Sequence, residues 1–431
     1  MTSNLTGTVR GALGRAAAEL PLAVVALVLI GTGAEIMPPD ALLGVGEVQL
    51  TLQRLLIVAG FIALVAVHRP SPRLLHTGLT IPLILLLGAG LVATLKWGGE
   101  PRYRFLVEAV ALLVLTVGVA RTRRDARVSL TIVAVAALAL SALTGLAQVA
   151  QHEATGFYRD GCLPVAAAPP EIPGGTLTRA TGTFANPNLL AGHLLLLAPL
   201  AALVAATAPR RGRLVLWIVA SLGYVGLALT LSRAAVALAI ASIAIVALTG
   251  AVRRRGLLAA GGVGLALLAG GLLGTCGADT ASGSFGRVDT WEASVDLVLD
   301  NPLTGVGLGR TADVLRSQNP DSTFQHAHNL WLTWWVDAGT VALLAWLAIT
   351  AVLLWAAWKG VRAGDQLSRA LLVSLVTFFA FSLLDHPANV DRVALAFWVV
   401  AGLTVAGVPR AADPPADDGE GPEQRLGAAH A

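Results

Sequence analysis

The sequence predicts an all-α, polytopic membrane protein that crosses the bilayer about twelve times. Of its 431 residues, 55% are hydrophobic and only 13% are charged, with a mean hydropathy of +0.73. Soluble domains carry about 25% charged residues. The net charge of +4 does not indicate nucleic-acid binding, because the positive residues lie in short loops between apolar runs. Soluble folds and nucleic-acid partners are therefore excluded.

Apolar runs of spanning length divide the chain into six parts. The runs lie at 20–37, 49–68, 74–95, 103–120, 128–150, 187–208, 214–231, 233–250, 256–275, 329–357, 367–385 and 391–408. The parts are 1–150 with helices one to five, an outer loop at 151–186, 187–275 with helices six to nine, a large outer loop at 276–328, 329–408 with helices ten to twelve, and a disordered tail at 409–431. The whole is a helical bundle with two long loops on one side.

The stretch 214–250 is treated as two helices. A single helix of that length would measure about 55 Å, against a hydrocarbon core of about 30 Å. Ser232 and Arg233 form its only strongly polar pair. The chain is therefore expected to fold back at Thr230–Arg233.

Basic residues fix the expected orientation. Alternate loops carry 19 of the 30 basic residues, which leaves 11 on the other side. Positive residues concentrate in cytoplasmic loops. Both termini are therefore expected in the cytoplasm, and the two long loops outside it. The first apolar run shows no small-residue cleavage site, so no cleavable signal peptide is predicted.

The unusual polar residues gather on the outer side of this topology. They are Arg179, Asn186, Asn188, Ser232, Arg233, Arg287, His326, His328, Asn329, Asp385 and His386. Ionisable groups near membrane depth are costly and mark functional sites, although helix-end or inter-helix pairing explains single cases. Their shared side favours one functional site.

Three of these residues are arginines suited to phosphate. The planar guanidinium binds phosphate oxygens in pairs, which lysine does not do. Arg233 stands at the hairpin tip, Arg287 opens a surface helix and Arg179 precedes the sixth span. A lipid-linked phosphate or diphosphate is the predicted ligand, and contact with anionic lipid headgroups is the alternative.

The segment from Gln325 to Gly339 carries the predicted base. His326 and His328 stand at the start of the tenth span, where a helix N-terminus disfavours the imidazolium. A neutral His328 accepts a proton from a sugar hydroxyl. The alternative is a metal site that also uses Asp385 and His386. Asp337, deeper in this helix, is expected to pair with an outer arginine or histidine.

Other features receive simpler interpretations. Val288, Trp291, Val295 and Val298 recur at helical spacing, which predicts an amphipathic helix at the membrane surface. Gly305–Gly309 is not a nucleotide-binding loop, because no strand precedes it. Cys162 and Cys276 both lie outside, where a disulfide and two free thiols are equally compatible with the sequence.

Several short motifs together resemble the bacterial O-antigen ligase/polymerase family. The first is the segment from Gly182 through Asn188, which matches Gly-x-Phe-x-Asn-Pro-Asn. Thr230-Leu-Ser-Arg233 resembles the family's Ser-x-Ser-Arg turn, with Thr for the first serine. Gly286 through Trp291, followed by Asn301 through Gly307, resembles an Arg-x3-Trp … Asn-Pro-x-x-Gly-x-Gly segment.

His328-Asn329, followed after nine residues by Gly339, resembles the spacing in ligases of this family. The likeness runs from about Arg179 to about Gly402. It has two departures: Asp337 stands where many members have Glu, and Ala342 where ligases commonly carry Gly, Thr or Tyr. The second weakens the choice of ligase over polymerase.

The resemblance implies a GT-C-like membrane glycosyltransferase in the bacterial inner membrane, with an extracytoplasmic active site and without metal or other cofactor. It implies an undecaprenyl-diphosphate-linked glycan as donor and a glycan, lipid or protein as acceptor, with membrane lipids as surroundings. His328 would be the general base, and Arg233 and Arg287 would stabilise the diphosphate, with Arg179 as a further candidate. Asn186, Asn188, Ser232, His326, Asn329, Asp385 and His386 would bind substrate.

Two alternatives stay open. One is a glycan polymerase of the same fold, and the other is a membrane transporter. A transporter typically has broken helices and polar residues near the bilayer midplane. The polar residues here lie at one surface, which favours an enzyme. The sequence does not specify the sugars, the acceptor or the oligomeric state.

Overall fold

The fold is that of a computed structural model. It describes residues 2–34, 41–45, 48–69, 77–123, 125–151, 165–167, 176–248, 285–318, 326–389 and 391–408. The predicted ninth span, both cysteines and the predicted disordered tail lie outside these ranges.

Thirteen α-helices make up most of the described chain. They are α1 Thr2–Ala34, α2 Leu52–Ala63, α3 Thr80–Trp97, α4 Glu100–Thr122, α5 Ala126–Gln151, α6 Pro187–Thr207, α7 Arg210–Leu229, α8 Arg233–Leu248, α9 Phe285–Asp300, α10 Thr311–Gln318, α11 Leu330–Arg362, α12 Gln366–Ser382 and α13 Asp391–Ala406. A π-helical turn, Leu64–His68, extends α2, and Pro387–Asn389 form a 3-10 turn. Two short antiparallel hairpins pair β1 Ala41–Val45 with β2 Val48–Thr51, and β3 Val165–Ala167 with β4 Thr176–Thr178.

The helical membrane architecture predicted from composition is confirmed. Among the described residues, seven helices are long and apolar enough to cross a membrane. Four shorter apolar helices accompany them: Leu52–His68, Arg233–Ala247, Gln366–Ser382 and Arg392–Ala406. The protein is therefore a multi-pass membrane protein, and the count of twelve spans stays a prediction.

Contacts between distant segments join helix ends as the alternating topology requires. At the end predicted to be outside, Lys96 donates to Thr304 and Arg102 donates to the Asn389 carbonyl. At the opposite end, Arg127 Nη2 lies 2.8 Å from Asp365 Oδ2. Arg102 is thus bound to a backbone carbonyl, whereas Arg127 forms an ion pair with a carboxylate.

Helix α6 forms the centre of the bundle. Its spanning window is 83% buried, and it packs against α5, α7, α8 and α12. Gly192 lets α6 approach the loop after α12, because a Cβ there would lie 2.7 Å from Pro387 Cβ. The N-terminal end of α6 therefore supports the loop that carries Asp385 and His386.

The fold-back predicted at Thr230–Arg233 is confirmed. Helix α7 ends at Leu229 and α8 begins at Arg233. Leu231 adopts a left-handed backbone with φ of +51°, an uncommon conformation for a branched residue. The Thr230 hydroxyl accepts from the Ser232 N–H and tightens the turn.

The helix predicted from Val288 to Val298 is present as α9, and one residue of its predicted apolar face, Val298, is buried against protein. Val288 is exposed, whereas Leu297 and Val298 are buried against α10 and α11. The Trp291 indole donates to the Ala327 carbonyl at 2.7 Å. This helix thus packs against α10 and α11. Through the Trp291 hydrogen bond it also anchors the loop that carries the two histidines.

Helix α11 is interrupted at Gly339, whose φ of +80° and ψ of −176° are not helical. The carbonyls of Val336 and Asp337 lose their helical partners at this break. The N–H groups of Val306 and Gly307 bond to them at 2.8 and 3.1 Å. The segment from Gly305 to Gly309, discounted as a functional loop, therefore completes a broken helix. This break also resembles one feature expected of transporters.

Candidate active site at the outer end of the bundle

Two loops bring four of the predicted residues together. His326 and His328 precede α11, and Asp385 and His386 follow α12. The ring of His326 lies between two others, with centroid distances of 4.1 Å to His328 and 3.8 Å to His386. Residues nearly 60 positions apart in sequence thus form one imidazole cluster.

Asp385 is the carboxylate of this cluster. Its Oδ1 lies 3.2 Å from His386 Nδ1 and 3.9 Å from His328 Nδ1, and it accepts the His386 backbone N–H at 2.8 Å. Burial alone would raise the pKa of the Asp385 carboxyl, but the neighbouring His328 and His386 hold it well below its ordinary value. Asp385 is therefore ionised and faces two imidazoles.

His326 is partly buried between the other two rings of the cluster. Burial, with the repulsion of His386 and His328, lowers the pKa of His326 to about 3, despite the opposing effect of Asp385. A group this weakly basic is neutral at physiological pH and removes a hydroxyl proton poorly. The arrangement therefore favours His328 over His326 as a base.

His328 stands just before α11 in a strained backbone conformation, with φ of +47°. Its side chain is 31% exposed, and its Nδ1 side faces Asp385. Strain of this kind persists where neighbouring structure enforces it, often at functional sites. With Nδ1 directed at a carboxylate, Nε2 is the nitrogen left to accept a proton.

Asn329 has a structural task beside the base. It is the N-cap of α11, where its Oδ1 accepts the Leu332 N–H at 3.0 Å. Its Nδ2 donates to the Leu383 carbonyl at 3.1 Å. Asn329 thereby links the two loops of the imidazole cluster and fixes the backbone that carries His328.

A cavity of about 110 Å³ opens beside the imidazole cluster. Arg102, His326, His386 and Asn389 line its polar part. Arg102 is one of several lining residues that the sequence interpretation missed, with Thr311, Thr333 and Asn389. Its available signal was topological: Arg102 belongs to the 11 basic residues that depart from the cytoplasmic side.

The expected partner of Asp337 is wrong. The Asp337 carboxylate accepts the Thr311 hydroxyl at 2.7 Å and the Gly309 N–H at 3.1 Å. No arginine or histidine bonds to it within the described ranges. The break at Gly339 brings the Gly305–Gly309 segment against α11. The Asp337 carboxylate is therefore hydrogen-bonded by neutral donors, the Gly309 N–H and the Thr311 hydroxyl.

A second group of predicted residues surrounds the α7–α8 turn. Arg179 donates to the Thr230 carbonyl at 2.9 Å, and Ser232 is buried within the turn. Arg233 is exposed, and among described residues it has no hydrogen bond or ion pair. No direct contact joins this group to the imidazole cluster in the part of the chain with described side chains.

The remaining predicted residues occupy helix starts. Asn186 caps α6, with its Oδ1 accepting the Asn188 N–H at 2.7 Å, and both asparagines keep exposed surface. Arg287 lies in the first turn of α9, and its side chain falls outside what the structure describes. Their predicted roles in substrate binding stay predictions.

The metal alternative retains a geometric basis. One ligand atom from each of His326, His328 and Asp385 lies within 4.8 Å of the others. Two imidazoles and a carboxylate match the donor types of catalytic zinc sites. Acid–base catalysis and metal binding would therefore use the same side chains, and removal of divalent ions by a chelator distinguishes the two.

One region of the chain matches a known protein family. A family model described as O-antigen ligase matches residues 214–347. This range runs from α7 into α11 and includes Arg233, Arg287, His326 and His328. No curated protein matches the chain.

Proposed function

We propose that this protein transfers a glycan from an undecaprenyl-diphosphate-linked donor, and the match of residues 214–347 to the O-antigen ligase family model supports this proposal. The acceptor is the hydroxyl of a glycan, lipid or protein at the outer face of the bacterial inner membrane. The single observation that carries this proposal is the Asp385 carboxylate 3.9 Å from His328 Nδ1, next to a cavity that His326 and His386 line.

The proposed reaction is a displacement at the anomeric carbon. His328 Nε2 takes the acceptor proton as the acceptor oxygen bonds to that carbon, and the bond to the diphosphate oxygen breaks with inversion. Asp385 positions the His328 ring and stabilises the imidazolium that forms. His326 and Asn329 hold the base loop in place.

The leaving diphosphate needs positive charge as the bond breaks. We assign this role to Arg233 and Arg287, with Arg179 beside the same turn. Arg233 fits the role because it is exposed and has no carboxylate partner among described residues. Asn186, Asn188 and Ser232 are assigned to substrate contacts near that turn.

Arg233→Lys and Arg287→Lys are expected to lower transfer strongly while expression and folding stay normal. Each change keeps the charge but removes the planar pair of donors that matches phosphate. The measurement is transfer rate per amount of folded protein. Arg316→Lys is the matched control, because Arg316 is exposed and pairs with Asp313 on α10. Near wild-type transfer by both variants would show that these arginines do not serve a diphosphate.

Transfer is expected to persist in excess EDTA, since acid–base catalysis by His328 needs no metal. The purified protein should show unchanged rates after chelation and dialysis. If chelation abolished transfer and one divalent ion restored it, His326, His328 and Asp385 would be metal ligands instead of a base and its supports.

The proposed orientation places the active site outside the cell membrane. In a variant with Cys162 and Cys276 replaced by Ser, Leu303→Cys should react with a membrane-impermeant maleimide on intact cells. Leu303 is 73% exposed near the imidazole end, and Gly212 has open space at the opposite end. Gly212→Cys should react only after permeabilisation. Reversed labelling would contradict an extracytoplasmic site.

A further inference from the structure

The wall of the cavity beside the imidazole cluster holds two polar atoms that no hydrogen bond explains. Thr333 Oγ1 and Trp346 Nε1 are buried and have no partner among the described residues. Thr333 is 5% exposed and Trp346 is 0% exposed. Buried polar atoms without partners are rare, and each costs stability unless a ligand or water completes it.

The two residues reach one cavity because α11 is broken. Thr333 lies before Gly339 and Trp346 lies after it, yet both line the same space. Trp334 and Trp398 complete an aromatic wall, with ring centroids 5.9 and 5.6 Å from that of Trp346. The cavity therefore combines flat apolar faces with a hydroxyl and an indole N–H.

The rim of the cavity is polar and ordered. Arg102 donates to the Asn389 carbonyl at 3.2 Å, and the Trp334 indole donates to the Asn389 side chain. Arg102 itself is exposed, so the cavity opens toward the outer end of the bundle. The Arg102 side chain packs directly over Gly309, since a Cβ on Gly309 would lie 3.1 Å from Arg102 Cγ.

We infer that this cavity is a subsite for one sugar ring of the glycan substrate, with Trp346 Nε1 donating to a sugar oxygen and Thr333 Oγ1 bonding a sugar hydroxyl. This inference rests on the proposed function. Sugar rings pair apolar C–H faces with hydroxyl groups, which matches aromatic walls that carry isolated polar atoms. The volume of about 110 Å³ exceeds what one water needs, about 10–15 Å³, several-fold.

The test uses a substitution that should lower the affinity for sugar without lowering the stability of the fold. Thr333→Val removes an unsatisfied hydroxyl at constant shape, so its thermal stability should equal or exceed that of the wild type. Its affinity for sugar should fall roughly 3- to 10-fold, as expected for one lost hydrogen bond. Trp346→Phe should lower the affinity for sugar by a similar factor. Thr333→Ser keeps a hydroxyl, so its affinity for sugar should stay close to that of the wild type.

Two probes are measured with purified protein in nanodiscs. Methyl glycosides of hexoses and N-acetylhexosamines are followed by saturation-transfer NMR from the aromatic protons. Native lipid-linked glycan is compared with undecaprenyl diphosphate, which lacks the sugar. Weaker binding of the lipid-linked glycan to Thr333→Val, with unchanged binding of undecaprenyl diphosphate, assigns the sugar to the donor. Weaker binding of methyl glycosides alone assigns it to the acceptor.

Thr94→Val is the matched control. Thr94 Oγ1 is also buried without a partner, but Thr94 does not line this cavity. It should bind both probes as the wild type does. The inference is overturned if neither sugar probe binds the wild type, or if Thr333→Val and Trp346→Phe both bind as tightly. These outcomes concern binding alone, so a failure of transfer would contradict the proposed function without affecting them.

Discussion

His328→Ala should lower the rate of glycan transfer roughly 10²–10⁴-fold, the usual cost of removing a positioned general base. His328 has a strained backbone and its Nδ1 lies 3.9 Å from Asp385 Oδ1, so the proposed mechanism assigns the acceptor proton to Nε2. Binding of the lipid-linked donor should survive, because the arginines assigned to the diphosphate are unchanged. Transfer and donor affinity are measured on the same purified preparation.

His326→Ala is the matched control for this change and should be milder. Because the pKa of His326 lies at about 3, its ring stays neutral above pH 5 and does not titrate there. The pH dependence of transfer by His326→Ala should therefore match that of the wild type above pH 5. If His326→Ala were inactive and His328→Ala turned over normally, the assignment of the base would be wrong.

Gly305→Ala should destabilise the fold by roughly 2–5 kcal/mol, as the sum of left-handed strain and overpacking. Gly305 has φ of +59°, and a Cβ there would lie 2.1 Å from the Val336 carbonyl oxygen. The change should displace the segment that completes the break in α11. The apparent melting temperature in detergent measures the loss, and transfer should fall with it.

Two glycines separate the contributions to this effect. Gly364→Ala also has a positive φ, of +83°, but open space around a Cβ, so it should cost less. Gly88→Ala lies within α3 with nothing near and should be neutral or slightly stabilising. Equal melting temperatures for all three variants would show that the Gly305 contact does not support the helix break.

Sequence alone predicted the class of fold and one real cluster. Apolar run length and basic loops identify the helices, because a bilayer imposes both. Sidedness grouped eleven polar residues, and the structure places four of them, His326, His328, Asp385 and His386, in one cluster, whereas Arg179, Ser232 and Arg233 surround a separate turn. The fold-back before Arg233 followed from helix length.

Other features depend on packing that the sequence does not display. Arg102 reaches the cavity because α4 starts beside the Pro387–Asn389 turn, almost 290 residues later in the chain. The glycines from Gly305 to Gly309 are explained by a helix break elsewhere, at Gly339. The burial of Leu297 in α9 depends on the position of α11, because Val288 on the same helix is equally apolar but stays exposed.

The most direct test of the central claim is mass spectrometry of lipid-linked and surface glycans in a deletion strain. Loss of a transferase should deplete a surface glycan and cause its undecaprenyl-diphosphate-linked precursor to accumulate. The wild-type gene should restore both pools, whereas the His328→Ala gene, expressed equally, should restore neither. Unchanged pools in the deletion strain, or full restoration by His328→Ala, would contradict glycan transfer catalysed by this residue.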